Sequence, residues 1–165
     1  LGVGTNLAIG FYQAIANEVR MIDYWEGVAD EGMQQAALEM QKKGYVFGKH
    51  FAPHDINARE MQTGRTRIDL ARDYGVNFEV VPMIKVKDGL ESARRLFSKL
   101  WVDELKCAVW LDALGQYRQE WDESKGMFKD NPLHDWTSHK ADVHRYASLV
   151  SELMTNQYNN LKFSY

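Results

Sequence analysis

The start of the chain limits the folds open to it. Two β-rich runs, Leu7 to Ile15 and Val19 to Trp25, stand on either side of Ala16-Asn17-Glu18. Branched and aromatic runs around a short polar turn predict a β-hairpin. The period then changes. Between Asp30 and Lys43, Met33, Ala36, Ala37 and Met40 recur at helical spacing, and Gly44 stands where a helix stop belongs. Tyr45 to Phe51 reads as a strand running into Pro53-His54-Asp55. Asp55 therefore lies just past a strand end, a position from which α/β folds present functional side chains.

Downstream, Thr66 to Tyr74 reads as a short helix closed by Gly75, and Phe78 to Val81 as a brief strand ended by Pro82. Asp88 offers an N-cap to a helix reaching Leu100, and Asp103 offers one to a helix reaching Gln119. Trp121 to Pro132 mixes charge, glycine and proline without a period and reads as a loop. Thr137 or Ser138 caps a final helix reaching Tyr158, in which Ala141, Arg145 and Leu149 recur at helical spacing. Hairpin, helix, strand, helix, strand and then helices is a mixed α/β order.

With 165 residues, 45% of them hydrophobic, the chain suits one globular domain with a single core. Its one cysteine, Cys107, sits in the apolar stretch Leu105 to Leu111 and reads as a buried thiol. One cysteine forms no disulfide framework, which fits a reducing cytoplasm. The absence of any run of roughly 18 apolar residues, and of a charged and apolar leader, argues against a membrane span and a signal peptide. The five tryptophans, Trp25, Trp101, Trp110, Trp121 and Trp136, are expected in the core.

A net charge of −3 argues against gripping nucleic acid by overall basicity. Basic residues are local: Arg59, Arg65, Arg67 and Arg72, then Lys85, Lys87, Arg94, Arg95 and Lys99. Both groups are equally what a solvated surface looks like. The sequence has no GxxxxGK[ST] loop, CxxC pair or GxSxG elbow. Gly2-Val-Gly-Thr-Asn-Leu lacks the third glycine of a dinucleotide loop and leads into a strand.

Two acidic clusters remain, Pro53-His54-Asp55 and the run His134-Asp135-Trp136-Thr137-Ser138-His139-Lys140-Ala141-Asp142. Magnesium and manganese prefer oxygen ligands, and two-ion phosphodiester cleavage needs carboxylates from separate elements converging on one point. Asp55 and Asp142 meet that need if the last helix packs beside the strand leading to Asp55. On spacing alone, an Asp at a strand end or in a first helical turn is more often a cap or a surface charge. Of the histidines, His50, His54, His134, His139 and His144, none form the helical i, i+4 pair of HExxH: His50 and His54 are four apart but belong to the strand and the residues just past it, and His139 and His144 share a helix five apart. His54 and His134 read as neighbours that orient or screen the adjacent aspartates.

Four stretches resemble the C-terminal nuclease domain of the large terminase subunit of tailed bacteriophages. They are Leu1-Gly-Val-Gly with Ala8-Ile-Gly-Phe; Ile22-Asp-Tyr-Trp-Glu; Pro53-His-Asp-Ile-Asn-Ala-Arg-Glu with Thr63-Gly-Arg-Thr-Arg; and His134-Asp-Trp-Thr-Ser-His-Lys-Ala-Asp-Val-His-Arg-Tyr. The resemblance implies an α/β, RNase H-like mixed sheet with an N-terminal β-hairpin, flanked by helices, and residues 1–165 as a single nuclease domain whose first strand is truncated. It further implies two divalent ions, Mg2+ or Mn2+, and cleavage of packaged double-stranded DNA at the start and end of head filling.

In that family three acidic positions hold the ions. Two map to Asp55 and Asp142, and the third lies at the end of the first strand, ahead of Leu1. Asp135 is an expected outer-shell or supplementary ligand, and Arg59 to Arg72 are expected DNA-backbone contacts. Thr5-Asn6-Leu7 departs from the family, where an aspartate and small hydroxyl residues are expected. Implied partners are the terminase ATPase domain, the portal and the small terminase subunit, with no membrane, in the bacterial host cytoplasm. The alternatives are another RNase H-like nuclease of the resolvase type, or a non-catalytic docking module of a packaging motor.

Overall fold

Strands β1 (Ala8–Ile15) and β2 (Glu18–Glu26) pair antiparallel from Ala8 opposite Glu26 to Ile15 opposite Glu18, with a bulge between Phe11 and Tyr12. This is the hairpin the sequence predicts, in a computed structural model that describes residues 7–28, 32–59 and 64–154. Strand period sorts the side chains of β1 to two faces. Leu7, Ile9 and Phe11 join one cluster, with Met33, Ala36, Ala37 and Met40 of α1 (Met33–Lys42). Ala8 and Tyr12 join the other, around Met21, Tyr24, Cys107 and Trp110. Met21 and Trp110 have no exposed surface. Burying a Met side chain fully contributes about 1.5–3 kcal/mol. Trp110 also satisfies its polar edge, since its Nε1–H donates to the Lys140 carbonyl at 2.9 Å.

The first cluster extends to the next elements through Ala52, Ile56, Ala71 and Val76. The short strand β3 (His50–Ala52) runs parallel to a later strand, Phe78–Val80, called β4. Between them α2 (Arg67–Asp73) starts at Thr66, whose hydroxyl accepts from the Asp69 backbone N–H, and is followed by Gly75 at φ 78°. Among the described residues, β1 pairs only with β2, and β3 only with β4.

Helix α3 (Val86–Phe97) leads to β5 (Leu100–Val102), which adds parallel to β2 and gives a mixed sheet of order β1-β2-β5. Helix α4 (Ala108–Gln116) follows, then β6 (Gln119–Asp122), β7 (Met127–Pro132) and α5 (Ser138–Leu149). Helix α5 packs on α3 and on β1. Its approach to β1 explains Gly10. A Cβ there would lie 2.6 Å from Val143 Cγ1 and 2.7 Å from Tyr12 Cε2.

Several sequence expectations need correction. The strand expected from Tyr45 keeps only its end, because Tyr45 and Phe47 pack tilted against Phe11, with ring centroids 5.9 and 6.0 Å away, instead of entering a ladder. Lys85, not Asp88, precedes the first turn of α3, and Leu100 belongs to β5. Asp103 makes a turn, its Oδ1 accepting from the backbone N–H groups of Leu105 and Lys106, and α4 begins only at Ala108. The expected loop from Trp121 is the β6–β7 hairpin, whose turn is built by Asp122 Oδ1 and by Gly126 at φ 61°. Helix α5 stops at Leu149. Of the rest of its expected extent, Ser151–Leu153 form a separate 3-10 turn and 155–158 lie outside the described residues, as do Asp30, Asn6 and Thr63.

Only Trp110 is fully buried. Trp101, Trp121 and Trp136 are 61%, 50% and 47% exposed, so the core expectation fails for them. No helix among the described residues is long and apolar enough to cross a membrane.

Candidate metal centre

Pro53, at φ −65° and ψ 162°, turns the chain out of β3 into one 3-10 turn, His54–Asn57. Asp55 occupies its second position. The turn is anchored by Ile56, 4% exposed within the first cluster, and closed by Ile56 N–H to Pro53 O at 3.0 Å and Ala58 N–H to Asp55 O at 2.9 Å. Asp55 is half-buried, whereas His54 beside it is exposed.

Asp142 sits in the second turn of α5, half-buried and flanked by the buried residues Ala141 and His144. The imidazole of His144 pairs with the Ala93 carbonyl through Nε2 at 3.0 Å and stacks on Phe97. The Asp142 carboxylate is oriented by Arg145, whose Nε and Nη2 donate to Oδ1 at 2.9 and 2.7 Å. Sequence reading placed Arg145 in a helical stripe and in the last of the resembling stretches, without assigning it a role. Both acidic segments share β1 as a neighbour: Phe11 packs in the cluster of Ala52 and Ile56, and Gly10 meets Val143.

Asp135 has a structural duty. Its Oδ1 accepts from the Thr137 N–H at 2.9 Å and the Thr137 hydroxyl at 2.6 Å, and its own N–H donates to Ser138 Oγ at 3.0 Å. The Thr137 hydroxyl bond, then the Thr137 N–H, hold its carboxyl below the usual range. This turn launches α5, which neither Thr137 nor Ser138 caps through a side chain. His134 and His139 meet edge to face at 5.8 Å, and burial pulls the His139 imidazole down while Asp142 opposes it.

Spacing gave no hint of the ion pair between Lys140 and Glu26. Lys140 Nζ donates to Glu26 Oε1 at 2.6 Å and to the Trp136 carbonyl at 3.3 Å, with Lys140 at 6% and Glu26 at 18% side-chain exposure. The pair fastens the first turn of α5 to the end of β2.

The arginine-rich stretch is partly self-neutralised. Arg65 pairs with Asp73 and Arg72 with Asp69, while Arg59 Nη1 donates to the Gly64 carbonyl at 3.2 Å. A shallow depression beside β2 and β5, lined by Glu18, Arg20, Ile22 and Trp101, includes neither candidate aspartate.

Asp55 and Asp142 supply oxygen donors, the chemistry preferred by hard divalent cations. Among the described residues no three His, Cys, Asp or Glu side chains group as a metal-holding set.

No family model and no curated protein matches the sequence. Solved structures do match the fold. The large terminase of a thermophilic bacteriophage, in complex with ADP, superposes with a TM-score of 0.71 at 15% identity, over 94% of this chain and 38% of that chain. Another crystal form of that terminase gives 0.69 at 14% identity. The nuclease domain of g2p, the large terminase of bacteriophage SPP1, with bound Mn, gives 0.66 at 19% identity, over 93% of this chain and 82% of that chain. The chain thus spans 38% of the length of the whole terminases it matches. It has the mixed α/β fold of a large-terminase nuclease domain, as expected.

Proposed function

We propose that this chain, sharing the fold of large-terminase nuclease domains, is a divalent-metal-dependent nuclease domain that cuts double-stranded DNA during viral genome packaging. The observation carrying this reading is the match over 93% of the chain to a nuclease domain that binds Mn. Asp55 and Asp142 are the proposed ligands of two ions, Mg2+ or Mn2+, with the third acidic donor in a first strand ahead of Leu1.

When bound, the ions supply an activated water and offset the charge that develops on the phosphoryl and departing 3′ oxygens. The protein's part is to fix oxygen donors. The 3-10 turn pinned by Ile56 holds Asp55, and Arg145 holds Asp142 in one rotamer. No protein nucleophile is required. With a net charge of −3, the domain relies on its partners to deliver DNA. Those proposed are the ATPase domain, the portal and the small terminase subunit.

The test is Mn2+-dependent nicking of supercoiled plasmid by a chain carrying the upstream strand. Asp142→Asn is expected to lower nicking by at least ~100-fold while leaving circular dichroism unchanged. Nicking at the parental rate would remove Asp142 from the site.

A further inference from the structure

Arg145 engages Asp142 through one oxygen only. Both its Nε and its Nη2 donate to Oδ1, and among the described residues Oδ2 accepts no hydrogen bond. The guanidinium is also held against swinging away. Its side chain is 12% exposed, and its Cζ lies 4.5 Å from the centre of the Tyr146 ring. Its stem crosses α3 at Gly89, where a Cβ would come within 3.0 Å of both Cγ and Cδ. A side chain at 89 would require the stem that carries the two donors on Oδ1 to give by a few tenths of an ångström. A lone surface ion pair between residues three apart needs no such notch in a neighbouring helix.

We propose that Arg145 is a specificity-determining residue for the metal: by occupying Oδ1, it confines Asp142 to coordination through Oδ2 alone. This rests on the reading of Asp142 as a ligand. The consequence is selection by size. Mg2+ keeps an octahedral shell at about 2.0–2.1 Å and binds through a few carboxylate contacts, whereas Ca2+ gathers six to eight oxygens at about 2.3–2.6 Å and often takes both oxygens of a carboxylate. A carboxylate with one oxygen committed suits the smaller ion and denies the larger one a contact. Charge is not the discriminator, because the guanidinium repels every dication alike. Position is.

The experiment reads bound Mn2+ from the paramagnetic resonance signal of the free ion and titrates Ca2+ as competitor, so activity is not the readout. Asp142→Asn is expected to abolish the Mn2+ binding of the parent. Arg145→Met, which keeps the apolar stem and removes the donors, is expected to lower the Ca2+ concentration that displaces half the Mn2+ by about tenfold. Arg145→Lys, which keeps a cationic donor group on the same stem, is expected to restore most of the discrimination. Gly89→Ala should move the ratio in the direction of Arg145→Met by a smaller factor, and it decides the matter if Arg145→Met does not fold. An unchanged Ca2+ to Mn2+ ratio in a folded Arg145→Met or Gly89→Ala variant overturns the inference while leaving Asp142 a ligand. Unchanged Mn2+ binding in Asp142→Asn instead overturns the ligand reading itself.

Discussion

At His50, burial pulls the imidazole below its ordinary range, against an opposing hydrogen bond to the Asn77 backbone. The unfolded ring titrates near 6.5, so between the depressed folded value and about 6.5 the unfolded chain binds more protons. Stability therefore rises with pH across that window, and the contribution is lost as pH falls through it. Asp23 acts in the same direction at lower pH. Burial pushes its carboxyl up, but hydrogen bonds from Lys43, the Tyr24 N–H and the Tyr45 hydroxyl together bring it below its ordinary value. Its contribution is present above the usual carboxylate range and lost as pH falls through the folded value. His50→Phe, set between Phe47 and Phe78, is expected to flatten the fall in urea midpoint from pH 7.5 to 5.5. A slope identical to the parent's would exclude His50 as its source. Asp55 and Asp142 stand out as candidates in the sequence because each lies in a distinctive motif. The Oδ1 bonds of Arg145 were not, since spacing puts it within reach of Asp142 without saying which oxygen it takes.

Among the elements, β1, β2, α1 and α2 were readable because apolar period and stop signal coincide, as at Gly44 and Gly75, both with positive φ. Strands β5, β6 and β7 were not. The three residues of β5 are apolar throughout, the four and six residues of β6 and β7 carry no apolar alternation in sequence, and an Asx turn at Asp122 supplies what pattern does not. The tie between α5 and β2 was equally hidden, because Lys140 and Glu26 are 114 residues apart and meet only through the sheet. Removing one member of such a pair strands a buried charge. Lys140→Met is expected to destabilise by about 3–5 kcal/mol, and adding Glu26→Gln should recover part of that loss. Urea denaturation of the two variants checks this; a double variant no more stable than Lys140→Met would mean Glu26 is not left stranded.

Seen whole, the described residues leave β1 and β3 each with one unpaired edge, although Phe11 and Ala52 share a cluster. A strand between those edges would join the sheets, and the resemblance expects one ahead of Leu1. Extending the chain upstream is expected to raise Tm and to slow amide exchange at Phe11 and Phe51. Unaltered exchange at both would place that segment elsewhere. Cys107, meanwhile, has no exposed surface, and its thiol donates to the Met21 carbonyl at 3.8 Å. Burial pushes the thiol pKa up to about 11. As the chain's one sulfhydryl, it turns the joint between β2 and α4 into a timer. A labelling reagent waits for that joint to part, so the rate at which label accumulates counts how often the interior opens.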